Sequence, residues 1–140
     1  MKPLVNDGES RPLTGRNFRV EIDEGNGRRT EIGCSEVVFP ALGALLDPFE
    51  PGAPEPLLLR RAATGGKEFH AWWDKARSGR APARRTVTIT LLGDDQASEP
   101  MRWRFRNARP VSLHYSPLNA MGSALLIETI ALAFDGVEIA

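Results

Sequence analysis

Threonine alternates with branched apolar residues from Thr86 to Leu91, with Thr86, Thr88 and Thr90 on one side and Val87, Ile89 and Leu91 on the other. A period of two sends successive side chains to opposite faces of a strand, so this stretch has one wet face and one buried face. Gly93-Asp94-Asp95 then signals a turn, and Met101 to Asn107 alternates again, with Arg102, Arg104 and Arg106 opposed to Trp103 and Phe105. The two runs predict an antiparallel hairpin with an aromatic buried side and a positive wetted side. An isolated hairpin is marginal in water, so the rest of the chain must supply strands or a helix to cover its apolar face.

The remaining segments supply both. Phe18, Val20 and Ile22 alternate with Arg19 and Glu21, Glu24-Gly25-Asn26-Gly27 follows as a turn, and a second strand-like run extends from Arg28 to Phe39. Leu57 to Ala62 reads as a short strand. Phe69, Trp72, Trp73 and Ala76 recur at helical spacing after Gly65-Gly66, and Gly79 marks the stop, which predicts one helix with Phe69 and both tryptophans buried on a sheet. Val111 to Tyr115 reads as a further short strand and Ser116 to Gly122 as a connecting loop. Leu125 to Ile139 reads as a last long run, with Leu126, Ile130, Leu132 and Phe134 bulky, Glu128 among them, and Thr129, Ala131 and Ala133 small. The expected fold class is mainly β, a β-barrel or sandwich of about seven strands with one flanking α-helix.

Residues 1–16 are polar, with Pro3, Gly8 and Pro12, and read as a flexible N-terminal arm ahead of one β-domain over residues 17–140. Pro40, Pro48, Pro51, Pro54 and Pro56, with Gly43 and Gly52, exclude a central strand or long helix from 40–56, which is expected to be an exposed loop.

At 140 residues and 41% hydrophobic content the chain fits a single domain with its own core. Eighteen basic residues balance eighteen acidic ones, so bulk charge draws it to neither nucleic acid nor an anionic membrane. The distribution is uneven: residues 1–59 carry six basic and ten acidic residues, 60–109 twelve and five, and 110–140 none and three. Such a split can give complementary surfaces between copies, and it equally fits an ordinary solvated surface. Cys34 stands alone and the only histidines are His70 and His114, which gives neither a disulfide nor a metal constellation. No run approaches a membrane span, so no membrane insertion is expected.

Chemistry-bearing constellations are absent from this pattern. Cys34 and His70 have no third orienting group, so no catalytic residue and no cofactor is assigned. Arg102, Arg104 and Arg106 around Trp103 suggest single-strand nucleic-acid binding by charge and stacking, but strand alternation points the indole away from the arginines. They are candidates for lumen or surface charge. Thr129, Ala131 and Ala133 suit a crowded sandwich face or an inter-subunit face, and Pro48 and Phe49 of the proline-rich loop are further inter-subunit candidates.

Several stretches in order resemble the tail tube protein family of contractile phages and phage-derived contractile injection systems. They are Asn17–Ile22, Cys34–Val37, Leu58–Arg61 leading into the Phe69–Trp73 helix, Thr86–Leu92, Trp103–Pro110, Asn119, Ile127–Ile130 and Phe134–Glu138. The resemblance implies a fold like that of the type VI secretion tube protein, with homo-hexameric rings that stack into a hollow tube. It further implies partnership with a sheath protein, a baseplate or tube initiator and cargo, within a particle made in the bacterial cytoplasm. Where the family usually carries a glycine-rich, charged segment after the second strand, this chain has the 40–56 loop. A baseplate-proximal initiator copy of the fold and, in another class, a monomeric β-domain binding module are the alternatives.

Overall fold

The computed structural model of the protein describes residues 12–42, 55–79 and 83–140. The alternating runs form the expected hairpin: β5 (Arg85–Leu91) pairs antiparallel with β6 (Met101–Tyr115), setting Leu91 opposite Met101, Ile89 opposite Trp103 and Val87 opposite Phe105. Their turn is held by Asp95, whose Oδ1 accepts the main-chain N–H of Ala97 and Ser98 at 3.0 and 2.9 Å. These bonds, that from Ser98 N–H foremost, hold the Asp95 carboxyl below its usual range.

On the other side of β5 lies β1 (Phe18–Asp23), paired in turn with β2 (Arg29–Ile32). The turn between them uses Gly25 and Gly27 at φ of +92° and +81°, a region that side-chain-bearing residues rarely adopt. The run expected to continue to Phe39 breaks at Gly33-Cys34-Ser35. Beyond it β3 (Glu36–Val38) leaves its former partner and pairs with β4 (Leu57–Ala62), with Ser35 N–H donating to Arg60 O at 2.8 Å. The chain thus steps from one sheet to the other.

The last long run also divides, into β7 (Ile127–Ala133) and β8 (Gly136–Ile139). Both pair with β6, β7 along Arg109–Tyr115 and β8 along Trp103–Arg106. Val111–Tyr115 is therefore no separate strand but the second half of a 15-residue β6. Proline is tolerated at position 110 because, among the described residues, β6 is paired there only with β7; β5 ends opposite Ala108. Among the described residues eight strands result, ordered β2-β1-β5-β6-β7-β4-β3 with β8 on β6.

β6 spans two sheets because it bends. Asn107 has φ of +53°, and the registers slip between Arg85 and Val87 and between Pro110 and Ser112. Each irregularity adds an outward residue, so the buried positions shift from Phe105 to Ala108 and Pro110. Val20, Ile22, Val87, Ile89 and Phe105 from one sheet meet Leu57, Leu59, Ile130 and Leu132 from the other in a single core.

The helix α1 (Glu68–Arg77) closes this core with Phe69 and Trp72, both fully buried. Trp72 Nε1 donates to Ala83 O at 2.6 Å, and the Arg85 guanidinium lies over the indole, 4.8 Å from a ring centroid. Trp73, expected to share that buried face, is only half-buried and carries Arg77 on its own ring at 4.9 Å. Helical periodicity placed both tryptophans on one face, but only one is directed between the sheets.

Candidate functional site

Arg102, Arg104 and Arg106 project from the outer face of the sheet that holds β1, β2, β5, β8 and the first half of β6. Strand pairing lays Glu31, Glu21, Thr88, Arg104 and Glu138 across this face in one row. Every one of the three arginines has an acid. Arg102 donates to Glu99 at 2.7 Å, Arg106 pairs with Glu138, and Arg104 lies 3.9 Å from Glu138. Glu99 also accepts from Arg19 at 2.7 Å, and this bond, then that from Arg102, holds its carboxyl below the usual range. The face is therefore charge-compensated where the strand alone read as positive. Trp103 points to the other side and meets Phe39, with ring centroids 4.9 Å apart.

Beneath that network Thr90 is fully buried, and among the described residues its hydroxyl has no hydrogen-bond partner. Removing an unsatisfied buried hydroxyl without changing side-chain shape should help the fold. Thr90→Val is expected to gain about 1 kcal/mol, read as a higher urea midpoint at unchanged slope. A lower midpoint would mean the hydroxyl is satisfied in solution.

Thr129, Ala131 and Ala133 lie on the outer face of the second sheet; Ala131 is buried and the other two are half-buried. β7 is paired on both sides, with β6 and β4, so these residues can meet a neighbour only face-on and not at a strand edge. Pro48 and Phe49 lie outside the described residues.

A buried ion cluster stands at the core end of this sheet. Arg61 hydrogen-bonds Glu128, is 2.8 Å from Glu68 Oε1, and stacks over Phe69 at 4.4 Å. Burial alone would lower the guanidinium pKa, but bonds to Glu68 and Glu128 raise it, and Glu68 is held below its ordinary range chiefly by Arg61. Glu128 was visible in sequence as a charge among bulky residues; its partner was not. Cys34 packs against the core, and burial pushes its thiol up to about 12, so it carries no thiolate at neutral pH. His70 is exposed, its ring 5.9 Å from that of Trp73. The described residues contain no cluster of three or more metal-ligating side chains, and no helix among them is long and apolar enough to cross a membrane.

Sequence reasoning passed over the surface that stands out. From Val111 to Tyr115 the side of β6 opposite β7 has no strand beside it among the described residues, and Val111 and Tyr115 are exposed. The chain then enters a loop in which Leu118, Met121 and Leu125 are 86%, 95% and 72% exposed. Pinning is thorough at its base, where Ser116 N–H donates to Ile127 O and Ile127 N–H to Ser116 Oγ, both at 2.8 Å. At its tip Asn119 Oδ1 accepts from Met121 N–H at 3.0 Å. A bare edge next to bulky apolar side chains is a liability in a monomer and an asset in an assembly. One sequence signal could have found it: no Asp, Glu, Lys or Arg occurs from Pro110 to Ile127.

The family model described as T4-like virus tail tube protein gp19 matches residues 53–138, more than half of the chain, from before β4 into β8. The chain belongs to the T4-like virus tail tube protein family. It is thus a structural subunit of a tube, part of a phage tail or contractile injection particle. No curated protein matches it in sequence. Among solved structures, a chain in the six-fold symmetrised anti-feeding prophage baseplate is 17% identical with a TM-score of 0.75, over 94% of this chain and 97% of that one. A chain in the extended PVC sheath–tube complex, an extracellular contractile injection system, is 19% identical with a TM-score of 0.73, over 100% and 99%. Hcp1 from Flavobacterium johnsoniae is 13% identical with a TM-score of 0.54, over 88% and 94%. At such identities the likeness is one of fold, and the mostly β architecture, with one helix among the described residues, is the tail-tube and Hcp-like fold.

Proposed function

We propose that six copies of this tail tube protein close into a ring and that rings stack into a hollow tube through which cargo passes, within a particle assembled in the bacterial cytoplasm. The observation that carries the reading is the bare edge of β6 over Val111–Tyr115. An unpaired strand edge is a template for another strand, and closure around a ring removes it. The face bearing Thr129, Ala131 and Ala133 packs face-on against a neighbour. The compensated face of Arg102, Arg104 and Arg106 meets water, as wall of the lumen or of the outside, because burying so many ion pairs would cost more than it returns. A sheath, a baseplate or initiator and cargo are the partners this role requires.

Negative-stain electron microscopy over a concentration series tests the reading. Six-fold rings or stacked tubes at micromolar protein are expected; monomers throughout would overturn self-assembly and favour an initiator copy or a binding module. Ala131→Arg in the same series is expected to abolish rings while the circular dichroism spectrum stays native. Unchanged rings would take the Ala131 face out of the interface.

A further inference from the structure

The second sheet ends in two open edges. Its order is β6-β7-β4-β3, and among the described residues neither Val111–Tyr115 of β6 nor Glu36–Val38 of β3 has a strand on its outer side. The registers set these edges level: Glu36, Arg60, Thr129 and His114 share one row, and Val38, Leu58, Ala131 and Ser112 another. Between them runs the row Val37, Leu59, Ile130, Leu113. Leu59 and Ile130 belong to the core, and Val37 and Leu113 are only partly buried against it. An apolar row thus reaches both edges and stops there half in water.

Resting on the ring reading above, we infer that the open edge of β6 in one copy pairs with the edge of β3 in the next, so that the second sheet runs on from subunit to subunit. Three antiparallel pairings separate β6 from β3, so the two strands run in opposite directions. Rotation about a ring axis that runs more along the strands than across them keeps each strand's direction. The joint between copies is then antiparallel, like every pairing within the sheet. The first sheet offers the other outer strands, β2 and β8, but four antiparallel pairings separate them. They run the same way and would meet in parallel, the slightly weaker arrangement. They also carry Arg29 and Glu31 on β2 and Glu138 on β8, charges of the kind that hold edges apart. Val111–Tyr115 has no such charge, and Glu36 on β3 is already paired with Arg60 at 2.7 Å. Because unlike edges meet, the contact is head-to-tail and closes where its rotation divides a full turn. A β3 of three residues supplies few main-chain hydrogen bonds, so one joint is weak, whereas ring closure holds each copy at two.

Disulfide trapping tests the pairing. A ring of tilted strands staggers neighbouring copies along the strand, and by an even number of residues, because an odd slip would turn the core face outward. Glu36→Cys or Val38→Cys is therefore combined with Ser112→Cys or His114→Cys, giving four pairs on the outer face. All are made in a Cys34→Ala background and oxidised with copper phenanthroline and dioxygen. At least one pair is expected to give bands that stop at six subunits on a non-reducing denaturing gel, with each single cysteine leaving monomer. No crosslink from any of the four overturns the edge assignment, and six-fold rings in the same sample would show that the ring stands without it. A ladder to six from Glu31→Cys with Glu138→Cys alone would move the joint to the first sheet and equally overturn it. High-yield dimer from Ser112→Cys by itself would mean that two β6 edges meet about a two-fold axis, which also overturns it. A ladder from the four pairs that runs past six would uphold the strand pairing and overturn the closed ring, so the two readings fail separately.

Discussion

Replacing Glu128 by alanine is expected to remove about 3 kcal/mol of stability, the lower end of the range for breaking a buried ion pair. Glu128 and Arg61 are 3% and 6% exposed, and truncating the carboxylate leaves the guanidinium buried with only Glu68 as an acidic partner. Glu68 is nearly half exposed, which is why the loss stays at the low end and why Glu68→Ala is expected to cost no more than about 1 kcal/mol. For a domain of this size the Glu128→Ala loss lowers the melting temperature by roughly 10 °C. Chemical denaturation of both variants reads the difference. The double replacement Arg61→Met with Glu128→Leu should return to within about 1 kcal/mol of the parent, since it removes both charges and keeps apolar volume. A Glu128→Ala loss below that of Glu68→Ala would show that the cluster is wetter than its burial indicates.

Trp72→Ala is expected to cost about 3–5 kcal/mol, the range for emptying a buried aromatic site. The indole is buried in the core, donates to Ala83 O, and supports the half-buried Arg85, whose guanidinium pKa burial already lowers. Removing it uncovers the core and unseats that arginine together. Trp73→Ala, one residue along, should cost under about 1.5 kcal/mol, because Trp73 is half-exposed and its loss leaves no cavity. Thermal melts of the two variants compare these costs, and equal losses would mean that helical periodicity described the packing better than the tertiary structure does.

The tryptophans mark how far the sequence reaches. Spacing of Phe69, Trp72 and Trp73 specified a helix with an apolar face, but a stripe roughly 100° wide admits both indoles, and only the position of the sheets selects one. Pro110 shows a converse limit. By local rules proline ends a strand, yet β6 runs through it, because β5 has already ended and no donor is needed on that side. Leu118 and Met121 read as part of a connecting loop and Leu125 as the start of the last long run, because loops have no period that assigns a face; the strand begins only at Ile127, so all three belong to the loop. Their exposure together, on a loop braced by Asn119 and Ser116, exists only after the chain folds.

Local patterning by itself determined the β5–β6 hairpin, the β1 strand and its glycine turn, the Glu68–Arg77 helix, and the opposition of arginines to Trp103 and Phe105 along β6. Each follows from side-chain period and turn chemistry, which act over a few residues. Tertiary structure alone decided the splitting of two long runs between sheets, the pairing of Arg61 with Glu128, and the compensation of the arginine face by Glu99 and Glu138. Among the described residues it also left β6 without a neighbour on one side over Val111–Tyr115. The physical reason is common to all of these: strand edges, charge partners and open faces are relations between segments far apart in the chain, and no periodicity within one segment carries them.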